Sequence, residues 1–348
     1  MTISEGEVKR LITEGETLLR QAQSDEALAV FERALELDPQ NASAWNGKGL
    51  ALSKLGRNEE SLAAYERAVA EEVTYAGAWR NLGVLYRRLQ RPEDALAAYE
   101  RARTFDTQDA HSYFNEGVLL LWEFKDPDAA LKAVRQAIER DSTDADYHHL
   151  EGHALSGLGR HEEALAAYMA SLELKGDQAE VQTDVGTALA GLERHHEAVA
   201  AYDLALAVDP TFVRAHLNQG IALTQLGQLE EALAAFERAI ALDPDALPAR
   251  QQKAQTLLDL ERYEQAGQAF WSAAQKHPYV VNLYIGLGQA MRALERYKEA
   301  AVAFDYAVHI DPKFARGWLD RGDALKALGR MEEAEEAYEE ARELGLQC

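Results

Sequence analysis

Between Ala76 and Asp109 apolar side chains recur at helical spacing. Trp79, Leu82, Gly83 and Tyr86 stand at i, i+3, i+4 and i+7 and form one stripe of a helix. Ala95, Leu96, Tyr99 and Ala102 continue in steps of three and four and predict a second helix. Gln90 and Arg91 separate the two. Pro92, Glu93 and Asp94 suit a helix start, because proline needs no amide partner in a first turn and acids favour the positive end of the helix dipole.

Two helices of this length leave the outer flank of each stripe in water unless another copy stacks on it. The chain supplies the copies. Glycine recurs at the Gly83 position as Gly15, Gly49, Gly117, Gly152, Gly186, Gly220, Gly288 and Gly322, with Ala254 as the exception. An aromatic ring recurs at the Tyr99 position from Phe31 and Tyr65 to Phe304 and Tyr338, and only Val134 breaks that series.

The pattern Trp79-x2-Leu82-Gly83-x2-Tyr86, followed by Ala95-x3-Tyr99, resembles the tetratricopeptide repeat, a helix-turn-helix unit with a period of 34 residues. Ten units run in phase: 8–41, 42–75, 76–109, 110–144, 145–178, 179–212, 213–246, 247–280, 281–314 and 315–348. Residues 1–7 form a lead-in, and residues 8–348 read as a single solenoid. The closing proline is present in half of the units, as Pro39, Pro210, Pro244, Pro278 and Pro312. The resemblance implies an all-α fold, a right-handed α-solenoid superhelix whose first helices line a concave groove where an extended peptide or helix of a partner lies.

Some units depart from the template. Ser4 and Glu7 have capping-box spacing and place the first helix start just after Ser4. Unit four comes into phase only with one residue added between Glu123 and Asp128. Unit eight carries Ala254 for glycine, Gly267 for the usual leucine, and Trp271 where other units have Glu66, Glu100 or Glu237. In unit ten, Glu335 and Arg342 replace apolar residues on the face that would meet an eleventh unit, which reads as a polar cap.

Composition narrows the function. The chain has 348 residues, 47% hydrophobic, and a formal charge of −23, which argues against nucleic acid or an anionic membrane as the partner, since both need a basic stripe. The lone cysteine, Cys348, excludes an internal disulfide framework, and no segment reads as a signal peptide or membrane span, so a cytoplasmic protein is expected. No phosphate loop, dinucleotide fingerprint or nucleophile elbow is present, and no cofactor or catalytic activity is expected.

The expected groove differs from the whole molecule. In unit three its positions are Gly77, Arg80, Asn81, Val84, Arg87 and Arg88, and over all units these positions hold ten cations and seven anions. Cations concentrate in the first five units, so an acidic peptide, or a chain terminus with its carboxylate, is expected to enter the N-terminal half. Asn81, Asn115 and Asn218 share one groove position, where an amide can both donate to and accept from a passing backbone. The family's chaperone-terminus clamp is incomplete here. Its nearest approximations are Asn46, Asn81, His111 and Asn115, which lack cations, and His149, His153, Asp184, Arg214 and Asn218, which put an acid at the centre.

Phe114, Leu121 and Trp122 are candidates for an apolar anchor on the groove, although the added residue in unit four could instead rotate Trp122 into the core. His149 and His153, four apart on one helix, together with Asp184 have the composition of a weak metal-site candidate, with plain peptide recognition as the alternative. Trp271 and Met169, on second helices, could mark a self-association surface. These features point to a non-catalytic interaction scaffold that holds a peptide segment of another protein, with a self-assembling structural protein as the second reading and a metal-binding protein as the third.

Overall fold

The computed structural model describes residues 3–346, and every regular element among them is an α-helix. Cys348 lies outside the described residues. Two compact units, Met1–Gly176 and Asp177–Cys348, each stack helical hairpins. The first contains α1 (Ile3–Arg20), α2 (Ser24–Leu37), α3 (Ala42–Lys54), α4 (Asn58–Glu71), α5 (Ala76–Arg88), α6 (Pro92–Phe105), α7 (Ala110–Trp122), α8 (Pro127–Arg140), α9 (Ala145–Gly157) and α10 (His161–Lys175). The second contains α11 (Ala179–Gly191), α12 (His195–Val208), α13 (Val213–Gln225), α14 (Leu229–Leu242), α15 (Leu247–Asp259), α16 (Tyr263–Lys276), α17 (Val281–Ala293), α18 (Tyr297–Ile310), α19 (Ala315–Ala327) and α20 (Met331–Glu343). Ser4 lies inside α1, which already runs from Ile3, so the helix does not wait for the expected cap.

The backbone of each hairpin turn states the repeat without reference to side chains. One residue per turn adopts the left-handed conformation: Ala22, Gly56, Gln90, Lys125, Gly159, Glu193, Gly227, Glu261, Glu295 and Gly329. The next amide then closes on a carbonyl near the end of the first helix, as Arg91 N–H donates to Tyr86 C=O at 2.9 Å. In the fourth repeat the corresponding bond runs from Asp126 N–H to Leu120 C=O at 3.0 Å, one residue further back. The extra residue expected in that turn is absorbed by this wider loop, and α8 re-enters in phase.

Glycine and ring are packed as a pair. A Cβ built on Gly83 would lie 2.6 Å from Tyr99 Cε1, and the same closeness recurs at Gly15 with Phe31, Gly49 with Tyr65, Gly186 with Tyr202 and Gly288 with Phe304. The fourth repeat replaces the ring with Val134, and a Cβ on Gly117 there would meet nothing nearer than 3.3 Å. In the eighth, buried Ala254 takes the glycine position, and the Phe270 ring instead closes on Gly286, 2.2 Å from a Cβ built there. Gly267 likewise makes room for Met291, whose Cε would stand 2.4 Å from an added Cβ. The departures in that repeat are thus coupled changes within one packed layer.

Polar side chains fasten several first helices to the turn before them. The indole N–H groups of Trp45, Trp79 and Trp318 donate to the carbonyls of Pro39, Val73 and Pro312 at 2.8, 2.7 and 2.9 Å. His148 and His216 occupy the equivalent place, with ring nitrogens 3.1 and 3.0 Å from the carbonyls of Ser142 and Pro210. On α20 the exposed Glu335 and Arg342 form an ion pair of 2.7 Å, so the two charges that replace apolar residues neutralise each other.

Candidate functional site

The first helices α3, α5, α7 and α9 carry most of the candidate residues of the first unit. Asn46 and Asn81 are joined: Asn81 Nδ2 donates to Asn46 Oδ1 at 2.9 Å, and Asn46 Nδ2 donates to the Tyr75 hydroxyl at 3.3 Å. The position that Asn81 occupies is an inter-repeat position rather than an open wall. Gly47, at the same place in its own repeat, would bring a Cβ to 2.3 Å from the Phe31 ring of the preceding repeat, and Leu150 there is buried. An asparagine at this position is half-buried, and Asn81 spends its amide donor on its neighbour. The side chain of Asn115, also half-buried, makes no hydrogen bond among the described residues and keeps both amide functions for a ligand.

The three arginines of α5 divide their roles. Arg80 Nη1 pairs with Asp109 Oδ1 at 2.7 Å, and Asp109, which precedes α7, also accepts from Ser112 Oγ at 2.6 Å. Arg88 reaches back a full repeat to the Ser53 hydroxyl at 2.9 Å and Asn58 Oδ1 at 2.7 Å. Arg87 has no ion pair among the described residues and is half-buried. Its charge acts on Tyr99, whose hydroxyl is pushed up to about 12 by burial and pulled back in part by Arg87. That hydroxyl is buried without a hydrogen-bond partner. In three other repeats the residue opposite it is polar: Tyr168 meets His153, Tyr202 meets Thr187, and Tyr338 donates to Asp323. In the third repeat that residue is Val84, which cannot serve it.

Repeats four and five assemble a ring cluster. Phe114 lies 5.0 Å from Tyr147, centroid to centroid, and the Tyr147 hydroxyl bonds His111 Nδ1 at 2.7 Å. Burial pushes the Tyr147 hydroxyl up to about 12. Trp122 stands edge-on to His153 at 5.5 Å, His153 is 4.4 Å from His149, and both imidazoles border Tyr168, whose hydroxyl is 3.3 Å from His153 Nδ1. Trp122 is 49% exposed, so the added residue does not turn it into the core, whereas Leu121 is buried and leaves the anchor set. Trp122 is the last residue of α7, the place where Lys54 and Arg88 end their helices and are exposed as well. Tyr147 and Tyr168 were not legible as site residues, because each already had a packing role in its stripe.

In the second unit, Asp184 is buried and paired with Arg214 Nη2 at 3.1 Å, and Arg214 lies over the Phe212 ring at 5.5 Å. Asn218 Nδ2 donates to Thr187 Oγ1 at 3.3 Å. Arg292 and Arg316 both turn to the fully buried Asp320, at 3.2 and 3.3 Å. Several of the cations counted on the groove are therefore neutralised by neighbours within the chain, and the excess positive charge that the sequence offers is smaller in the folded protein. No helix among the described residues is long and apolar enough to cross a membrane.

Family models described as tetratricopeptide repeat match residues 12–72, 48–110 and 184–246, residues 223–284 and 291–347, and residues 110–144 and 145–178. No curated protein sequence matches the chain. A solved structure of Pseudomonas aeruginosa PilF is 17% identical, covers 61% of this chain and 96% of its own, and superposes with a TM-score of 0.56. MamA from Desulfovibrio magneticus RS-1 is 22% identical over 49% of this chain and 96% of its own, with a TM-score of 0.46. YrrB, described as a TPR protein with an unusual peptide-binding site, is 21% identical over 63% and 95%, with a TM-score of 0.41. At such identity the likeness to PilF shows the fold alone.

Proposed function

Because this chain belongs to the tetratricopeptide repeat family, we propose that it is a non-catalytic cytoplasmic scaffold that holds an extended peptide of a partner protein on the first-helix face of repeats three to five. The single observation that carries this reading is Trp122, a large ring left 49% exposed and edge-on to His153, in an array whose other rings are mostly packed away. Such a ring gains most when a partner covers it. Arg87, without an ion pair, gives the partner's carboxylate a place, and Asn115 can hold a peptide unit through both amide functions. The preferred ligand is thus a segment with an acidic residue or free C-terminus, separated by a short stretch from an apolar side chain.

Fluorescence anisotropy with a labelled peptide of that design tests the reading. Arg87→Glu and Trp122→Ala each weaken binding by tenfold or more, about 1.4 kcal/mol or above, while Arg20→Glu, outside the cluster, leaves it unchanged. Equal affinity for wild type, Arg87→Glu and Trp122→Ala refutes it.

A further inference from the structure

We propose that the junction of repeats eight and nine carries a second docking site, a groove on the second-helix face that receives an acidic amphipathic segment of a partner protein. The reasoning starts from what the other junctions do at the same place. One place on each second helix and one on the following first helix correspond from junction to junction, and at five junctions the two side chains make a polar contact, whereas Glu66 with Leu82, Glu100 with Glu116 and Met169 with Val185 occupy these places at three others. Glu32 pairs with Lys48 at 2.9 Å, Arg135 with Glu151 at 2.8 Å, Glu237 with Lys253 at 2.8 Å and Asp305 with Arg321 at 3.0 Å, and Gln219 donates to Asp203 at 2.6 Å. At the junction of repeats eight and nine the two places hold Trp271 and Leu287.

The substitution extends beyond that pair. The seam between repeats seven and eight is lined by Glu237, Lys253, Gln268 and Ser272, and 34 residues on the same lining reads Trp271, Leu287, Val302 and Tyr306. Four polar side chains have become four apolar ones around a cavity of ≈ 660 Å³. Trp271, Val302 and Tyr306 remain 47%, 52% and 51% exposed, and Tyr306 stacks on Tyr284 with ring centroids 5.4 Å apart. Since the neighbouring seams fold with ion pairs, stacking of the repeats does not require this apolar surface. A row of rings that no packing demand explains is what an interaction site leaves in a free protein.

Charge selects the occupant. Arg296 at the rim is paired with Glu299 at 2.7 Å, whereas Lys298 is exposed and has no ion pair among the described residues. A partner presenting apolar side chains with a carboxylate beside them satisfies both the groove and Lys298. A second copy of the chain is disfavoured because each copy brings a net charge of −23 to the contact.

The probe is a fluorescein-labelled amphipathic peptide of roughly 20 residues, long enough for helix formation, with Leu and Phe at i, i+3, i+4 and i+7 and Glu on the flanks. Trp271→Glu combined with Leu287→Lys recreates the Glu237–Lys253 pair of the preceding seam, so the fold has a precedent within the same molecule. That double variant, and Lys298→Glu alone, are expected to bind the probe at least tenfold more weakly than wild type, and Arg20→Glu to bind it as wild type does. A probe with Lys for Glu is expected to bind at least tenfold more weakly as well. Equal affinity of wild type and the double variant overturns the proposal, as does equal affinity for the Glu and Lys probes. Sedimentation at micromolar concentration supplies the remaining arm: a wild-type dimer that the double variant abolishes makes the occupant a second copy and likewise overturns it.

Discussion

Gly83 and Tyr99 are in such close contact that a methyl group on Gly83 would stand 2.6 Å from the ring. The ring cannot retreat, because it is itself fully buried between hairpins. Gly83→Ala therefore overpacks the layer and destabilises by about 1–3 kcal/mol. Gly117→Ala is expected to cost clearly less than Gly83→Ala, since alanine favours helix and an added Cβ there would come no nearer than 3.3 Å, to the end of the Leu150 side chain. Adding Tyr99→Val to Gly83→Ala recreates the alanine-opposite-valine pair of the Gly117→Ala variant and should recover part of the loss. Thermal denaturation of the three variants checks the pairing, and an equal cost for the two glycines contradicts it.

A different strain sits in the turns. Glu193, Glu261 and Glu295 adopt φ of 59°, 59° and 58°, a conformation that disfavours residues with a Cβ and that the equivalent Gly56, Gly159, Gly227 and Gly329 adopt freely. Glu261→Gly relieves about 1 kcal/mol of backbone strain, offset in part by the greater freedom of glycine in the unfolded chain. A net rise in stability of about 0.5 kcal/mol is expected, with Gly227→Ala moving in the opposite sense. Urea denaturation midpoints of both variants measure it.

Much of the repeat was legible because its code is local: a stripe at steps of three and four, a small residue facing a ring, an acid after each hairpin turn. The candidate site was less legible, because it depends on which polar groups find each other across repeats. Arg80 and Arg214 read as free groove cations until the fold paired them with Asp109 and Asp184. Asn81 read as a peptide grip until Asn46, a repeat away, took its amide. Leu121 and Trp122 are adjacent on one helix, yet the first is buried and the second exposed, as Arg88 and Lys54 are exposed at the Trp122 place in other repeats.

Glu116 on α7 introduces a pH dependence. Burial raises its pKa above the ordinary carboxylate value and nearby Glu100 adds to this, while Arg103 pulls it back. Between the unfolded and the raised folded pKa the native state binds more protons, so this residue's contribution falls as pH rises through that window. Above it, the ionised carboxylate is a standing cost. Glu116→Gln is expected to raise stability at pH 7 and to flatten the stability curve just above the ordinary glutamate range. Melting curves taken across that range would reject the assignment if the variant kept the wild-type slope.

Tyr99 and Tyr168 occupy the same place in their repeats, yet their hydroxyls differ in what they meet. The Tyr168 hydroxyl lies 3.3 Å from His153 Nδ1, whereas that of Tyr99 is buried opposite Val84 with no partner. Deleting a satisfied hydroxyl removes a net interaction of about 1 kcal/mol, and deleting an unsatisfied one removes a desolvation cost of similar size. Tyr168→Phe should therefore lower stability by about 1 kcal/mol, and Tyr99→Phe should leave it unchanged or raise it by up to about 1 kcal/mol. Val84→Thr places an acceptor opposite the orphan hydroxyl, and in that background Tyr99→Phe becomes costly. A double-mutant cycle on Val84 and Tyr99 reads this coupling directly, and a coupling of zero would show that the hydroxyl is satisfied in some other way.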